Sequence, residues 1–465
     1  MGNQRLTVVN RLGLATGLAL ALVALAHPGV ADRATIAVGA SLIIVATAVR
    51  VAVRQGAASG LPGSARWLAV LWLLAMLGST AVNDAWHVRA LLPPIVAPAL
   101  LWLGARLGRV GGTMPVVVSI VGVAVLIALH AALQHIGLDP LPRLDEFPGR
   151  VVGPFDNPNH LGGFAALALP LALAGYLALC NRSARFPLIV GLGVGVVAIY
   201  SCILLAGSRG AIWAALAGSL VVVAGWARAS HLQSRRPAWL PLLLLSVSLI
   251  AVTRLLQEQP VMQGGAGQVS VGQRLQALSN IAQIVRDLPP VSGTGSSTGD
   301  AAETDLTVLH RRVLWRAAWD IFAHNPVLGV GPGRYQQACV QALENMAADR
   351  RVVLLSRLQR LDVPRFAHNE WLHSFAEVGL AGTIPWTLLI ILWTATSSRE
   401  VWKGRGGIYL GALGACSAVL VHGLVSYPFY VPTIAGSFWI LLGSSYDCVE
   451  EHLQDANYFY KQSFA

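Results

Sequence analysis

Long apolar runs separated by short polar ones dominate this chain, and their length identifies their setting. Crossing the hydrocarbon core of a bilayer takes about 20 predominantly apolar residues. Runs of that order recur at 7–26, 33–49, 67–82, 88–106, 114–134, 160–180, 187–206, 211–227, 239–256, 375–395, 407–425 and 429–446, which predicts about twelve transmembrane helices. The first run follows Arg5 and Arg11 like a signal peptide, but no small-residue cleavage site precedes a soluble domain, so it reads as a span. Between 257 and 374 the pattern changes. Gly/Ser/Thr-rich stretches at 260–272 and 289–305 read as mobile linkers. Apolar residues at three- and four-residue spacing predict helices over 273–287, 306–324, 334–347 and 350–361. The chain therefore divides into nine spans over 1–256, a loop domain over 257–374, three spans over 375–446 and a tail over 447–465. The fold class is an all-α polytopic membrane protein with a large, mostly helical loop between spans nine and ten.

Composition agrees: 55% of residues are hydrophobic and 12% are charged. Basic residues set the orientation, because Lys and Arg in short loops stay on the cytoplasmic side. Arg5, Arg11, Arg50, Arg54, Arg66, Arg106, Arg109, Arg182, Arg185, Arg228, Arg235, Arg236, Arg399, Lys403 and Arg405 all fall on one side of the span count. Short loops on the other side hold only Arg33, Arg89, Arg143, Arg150 and Arg209. Both termini are thus expected in the cytoplasm and the 257–374 loop outside, in the periplasm of a Gram-negative cell. The net charge of +11 does not indicate nucleic acid, since the basic residues are scattered without an aromatic stacking platform. The outer arginines oppose the topology rule, and an anionic ligand is the natural reason for them. Cys180, Cys202, Cys416 and Cys448 sit in or beside spans and Cys339 is alone in the loop, so no disulfide framework or metal-ligand spacing emerges.

Four polar clusters fall on the predicted outer face. The first, Gly149 to Gly163, is a Gly/Pro-rich turn in which Asn159 or His160 can cap the sixth span, and it also holds Arg150 and Asp156. The second is Gly207-Ser-Arg-Gly210, where Arg209 beside a helix start reads as a phosphate contact in preference to snorkelling to headgroups. The third runs from Arg311 through Asn325-Pro-Val-Leu-Gly-Val-Gly-Pro-Gly-Arg334. Arg311, Trp315 and Trp319 share one helix face, Arg312, Arg316 and Asp320 the next. A tryptophan stripe is ordinary core or interface anchoring, and the glycines match no nucleotide-loop spacing; they read as a turn folding the loop back over the membrane. The fourth, Phe366 to Gly382, puts His368, Glu370, His373 and Glu377 where a polar loop meets a span. His368 and His373 are not at zinc-chelating spacing, and either glutamate can orient a histidine. Ionisable groups at such a depth usually hold a substrate or do chemistry.

In order and topology these clusters resemble the O-antigen ligase and polymerase superfamily of bacterial inner-membrane glycosyltransferases. The matching elements are Gly153-Pro-Phe-Asp-Asn-Pro-Asn-His-Leu, Gly207-Ser-Arg-Gly, Arg311 with Trp315, Asn325-Pro-Val-Leu-Gly-Val-Gly-Pro-Gly and His368-Asn-Glu-Trp-Leu-His-Ser-Phe-Ala-Glu-Val-Gly. The likeness covers most of 110–440. It implies a GT-C-like membrane enzyme without cofactor that moves a glycan, independently of metal, from undecaprenyl diphosphate to an acceptor hydroxyl at the outer face of the inner membrane. In the ligase branch the acceptor is lipid A-core oligosaccharide. Carried onto matching positions, the resemblance makes His368 the base, Arg209 and Arg311 the diphosphate ligands, and Asn157 and Asn159 supporting residues. Arg150, Arg312, Arg334, Arg365, Glu370 and His373 are further substrate-binding candidates. A histidine of ordinary pKa near 6.5 suits the base, and one direct displacement predicts inversion at the anomeric carbon. Family members often carry an acidic residue after the eleventh span, where this chain has Val425-Ser-Tyr-Pro-Phe429.

The moderate loop, with no appended soluble domain, favours the ligase over an O-antigen polymerase or a protein O-oligosaccharyltransferase of the same superfamily. A transporter of lipid-linked sugars would line its midplane with charges, whereas these clusters gather on one predicted face. Membrane lipids surround the protein in either case; its oligomeric state and sugar identities are not encoded legibly.

Overall fold

The computed structural model describes residues 61, 63–86, 88–109, 113–139, 150–181, 185–232, 239–264, 267–273, 302–348, 363–404 and 408–445. The spans expected at 7–26 and 33–49, nearly all of the helix expected at 273–287, the helix at 350–361 and the tail from 447 lie outside the described residues. The described chain is a helical bundle: α1 Gly63–Val82, α2 Val88–Arg109, α3 Thr113–His135, α4 Pro158–Asn181, α5 Phe186–Ala206, α6 Arg209–Leu232, α7 Trp239–Leu256, α8 Ala302–His324, α9 Tyr335–Ala348, α10 Glu370–Trp402 and α11 Ile408–Gly423. A last helical stretch, α12, covers 432–445. Among the described residues, seven helices are long and apolar enough to cross a membrane: α1, α3, α4, α5, α6, α7 and α10. The protein is thus a polytopic helical membrane protein. α8 and α9 coincide closely with the loop helices expected at 306–324 and 334–347. One expectation needs correcting. The 260–272 stretch is not without structure, for Pro260–Gly264 and Gly267–Ser270 pair as an antiparallel hairpin with an irregular register near Met262.

α4 is the axis of the bundle. Its residues from Leu161 to Leu173 are buried without interruption, because α5, α6 and α11 close around it. Small residues permit this: alanine and glycine let helix backbones approach where larger side chains would hold them apart. α7 is peripheral, with Leu245 its one buried residue, and its remaining apolar side chains suit lipid. α1 packs along α10, and α8 and α9 lean on the first part of α10. There Leu314, Ala317, Ile321, Tyr335, Cys339 and Ala376 form a second, smaller core.

α10 is broken rather than continuous. Gly379 has φ 58° and ψ −159°, a region essentially reserved for glycine. A break strands carbonyls and N–H groups that hydrocarbon cannot satisfy. Here the Asn325–Gly333 loop satisfies them: Val330 N donates to Ala376 O (3.0 Å), Gly331 N to Glu377 O (2.9 Å), Leu380 N to Pro326 O (2.8 Å) and Ala381 N to Val327 O (3.0 Å). Ser79 of α1 adds a hydrogen bond to Leu328 O at 2.6 Å. The Gly-rich loop is therefore a clamp on a helix break, not simply a turn folding back over the bundle.

Candidate active site

The break sets a short helix, Glu370 to Val378, at an angle its sequence alone would not give, and His368 stands immediately before it. Asn369 caps that helix, its side chain accepting from Leu372 N at 3.0 Å. His368 itself has φ 52°, a left-handed backbone that costs a non-glycine residue about 1 kcal/mol or more and concentrates at functional sites. Trp315 holds it there, donating from its indole N–H to the His368 carbonyl at 3.3 Å. Trp319, on the same stripe, is 57% exposed and takes no part. The His368 ring meets Tyr427 edge-on at 5.0 Å between centroids, and its Nδ1 is buried without a hydrogen-bond partner.

Electrostatics separate His368 from an ordinary histidine. Burial first, then the Arg311 guanidinium and the neighbouring His310, His160 and His373, push it down to about 3. Burial and Arg311 also lower His310. Tyr427 is driven the other way, to about 12, by burial and by Asp156, so its phenol keeps its proton. The sequence argument took an unperturbed imidazole near 6.5; the structure replaces it with one that is neutral throughout the physiological range.

The two glutamates do not orient His368. His373, 1% exposed, lies 3.4 Å from Glu377 and faces Tyr335, Phe366 and Tyr430. Glu377 also accepts from Tyr335 N and the Tyr430 hydroxyl, both at 3.1 Å, while Glu370 receives Phe429 N at 3.4 Å. Together they fasten the 427–430 turn to the foot of α10. Ser374, at helical spacing from Glu370, pairs instead with Thr383 across the break at 2.8 Å.

Arg209 is the first residue of α6 and is buried. Beside it, Gly210 packs on the ring of His422, and Gly163 of α4 meets the same ring from the other side. A methyl group at either glycine would collide with the imidazole or its neighbours. His422 is 2% exposed and lies within electrostatic range of Arg311 and His160. Arg209, Arg311 and His368 are thus drawn around one constellation that includes His160, His422 and Tyr427. It lies at one end of the bundle, where α4, α6 and α10 begin and α5 and α11 end.

The remaining candidates are distributed differently. Asn157 caps α4, accepting from Asn159 N at 2.8 Å through its side chain and from His160 N and Leu161 N through its carbonyl. The cap expected at Asn159 or His160 is therefore Asn157, preceding Pro158, which suits the first helical position. Arg150 donates to Ala206 O at 2.8 Å and so holds the end of α5. Arg312 is half-buried beside Arg311. Arg334 reaches the Asp84 carbonyl after α1, away from His368, and Arg365 is exposed. Sequence reasoning missed Gln134 of α3. Its side chain accepts from Val152 N (2.9 Å) and Gly153 N (2.8 Å) and donates to Asp139 (2.8 Å), fixing the turn before α4. It also missed His422 and Tyr427. Among the described residues, no three His, Cys, Asp or Glu side chains converge as a metal site requires.

Residues 194–387 match the family model described as O-antigen ligase. Over that segment the chain is similar to the O-antigen ligase/polymerase superfamily. No curated protein matches the chain. The matched O-antigen ligase segment contains Arg209, Arg311, His368, Glu370 and His373, whereas Arg150, Asp156, His160, His422 and Tyr427 come from helices and turns outside it. That family implies a glycosyltransferase-like membrane enzyme and, in general, lipid-linked glycan substrates.

Proposed function

We propose that the chain transfers a glycan from undecaprenyl diphosphate to a hydroxyl of lipid A-core oligosaccharide at the outer face of the inner membrane, as an O-antigen ligase. The observation that carries this reading is His368, a neutral imidazole in a left-handed backbone position, with a buried nitrogen lacking a partner, beside a guanidinium. A sugar hydroxyl is a poor nucleophile and needs a base; a diphosphate is a good leaving group and needs positive charge. The acceptor hydroxyl passes its proton to His368 as its oxygen bonds to the anomeric carbon. The bond from that carbon to the diphosphate oxygen breaks, and the electron pair leaves with the diphosphate, whose added charge Arg209 and Arg311 hold. Guanidinium forks match phosphate oxygens in charge and geometry, so the step needs no divalent cation. A single displacement inverts the anomeric carbon.

The test is reconstitution of purified protein with an undecaprenyl diphosphate-linked glycan and lipid A-core, chelator present. His368→Ala is expected to lower turnover by about 10²–10⁴-fold, and Arg209→Ala or Arg311→Ala by about 10²–10³-fold. Undiminished turnover by His368→Ala removes the base assignment, and a requirement for divalent metal removes the electrostatic one. Product formed only on a second lipid-linked chain or only on a protein moves the chain to the polymerase or oligosaccharyltransferase branch. Retained anomeric configuration refutes direct displacement.

A further inference from the structure

The start of α4 carries a second histidine that this reaction scheme leaves unused. His160 Nδ1 lies 2.8 Å from Asp156 Oδ1. A carboxylate oxygen only accepts, so Nδ1 carries a proton, and in the neutral imidazole Nε2 then presents a bare lone pair. That Nε2 is buried and has no hydrogen-bond partner, on a side chain only 13% exposed. Buried acceptors are nearly always satisfied, and one left open calls for an explanation such as a missing ligand.

Its surroundings say which ligand. The His160 ring stands edge-on to Tyr427 at 5.4 Å, and His368 stands edge-on to the same phenol at 5.0 Å. Two residues further on, Gly162 packs against Ser208 and Ala211, the residues flanking the Arg209–Gly210 pair. The start of α4 therefore packs on the turn that carries the arginine assigned to the diphosphate, while the His160 ring shares Tyr427 with the base assigned to the acceptor. The diphosphate of the donor, ionised and esterified at both ends, has no proton to give an imidazole lone pair. The acceptor's attacking hydroxyl gives its proton to His368. Between them lies the sugar that joins diphosphate to glycan, and its polar hydrogens are the donors left over.

We propose that His160 Nε2 accepts a hydrogen bond from the diphosphate-linked sugar of the donor, with Asp156 fixing the tautomer that makes this possible. The assignment rests on the donor reading given above. It makes His160 a substrate-binding residue that distinguishes a loaded lipid carrier from a spent one, because undecaprenyl diphosphate without glycan lacks the sugar hydroxyls.

Binding of two lipids to the full-length protein in detergent, without acceptor, tests this directly. His160→Phe keeps a ring against Tyr427 and removes both nitrogens; His160→Gln keeps a polar group, and thermal unfolding checks that each variant is folded. His160→Phe is expected to weaken glycan-linked undecaprenyl diphosphate about tenfold, equivalent to about 1.4 kcal/mol. It should leave bare undecaprenyl diphosphate unchanged, with His160→Gln recovering part of the loss. Equal weakening of both lipids would mean a contact to the diphosphate and would overturn the proposal, as would unchanged binding of both by folded Phe and Gln variants. A change confined to the KM for lipid A-core would overturn it too, by moving the contact to the acceptor. Wild type that binds the loaded lipid tighter than the bare one yet transfers nothing to lipid A-core removes the acceptor assignment only. In that event the loss at His160→Phe still decides this one.

Discussion

His368 is unusual less for its chemistry than for how little holds its ring. A histidine base is commonly oriented by a carboxylate on its second nitrogen; here Glu370 and Glu377 serve other partners, and backbone conformation, Trp315 and Tyr427 do the positioning. The pH dependence follows from the sign of its shift. With the free imidazole near 3, it is already neutral at pH 5, so kcat/KM should stay flat from pH 8 to pH 5 as far as this group is concerned. A bound diphosphate offsets the field of Arg311 and makes the protonated form easier to reach, so the acid limb of kcat should lie at higher pH than that of kcat/KM. Steady-state profiles measured against both substrates check this; an acid limb in kcat/KM centred near 6.5 would mean an unburied base. The same shift bears on folding: a buried neutral histidine stabilises above its unfolded pKa near 6.5, and that contribution is lost as pH falls towards 3.

At the scale of elements, the α10 break joins a loop and a helix into one object. Gly379→Ala forces a side chain into a glycine-only backbone region and against the Val327 backbone, so it should cost about 3 kcal/mol or more. Leu380→Ala, on an exposed side chain whose backbone N–H is unaffected, should be nearly neutral. Thermal unfolding in detergent compares the two. This element also marks how far the sequence could be read. Runs such as 187–206 announce their helices because length and hydropathy are local properties, and α5 at Phe186–Ala206 follows them to the residue or so. His368 was legible because a histidine at a membrane boundary is locally anomalous. Gly379 was not, since it is one glycine of many and the groups that make it necessary belong to the Pro326–Gly331 segment. His422 was not either: a lone histidine in an apolar helix gains meaning only when Gly163, Gly210 and Arg311 arrive from three other elements. Tyr427 reads as an ordinary turn residue until His160 and His368 flank it.

On the scale of the whole molecule, the constellation gathers at one end of the bundle, the end that the distribution of basic loops leads us to propose as outside. Single cysteines in a background without the native ones test the assignment. Leu138→Cys, exposed just after α3, should react with a membrane-impermeant maleimide in intact cells, whereas Lys403→Cys, after α10, should react only once the inner membrane is opened. The reverse pattern would put the arginines on the cytoplasmic side and end the reading of an outward-facing transfer. The clamp on α10 carries one more implication, for the order of assembly. Pro326 and Val327 leave the ribosome before Leu380 and Ala381, so the acceptors for the broken helix already exist when its N–H groups emerge. The bend in α10 is then templated by chain made earlier, and the segment bearing His368 takes its final shape only after the segment bearing Arg311 is in place.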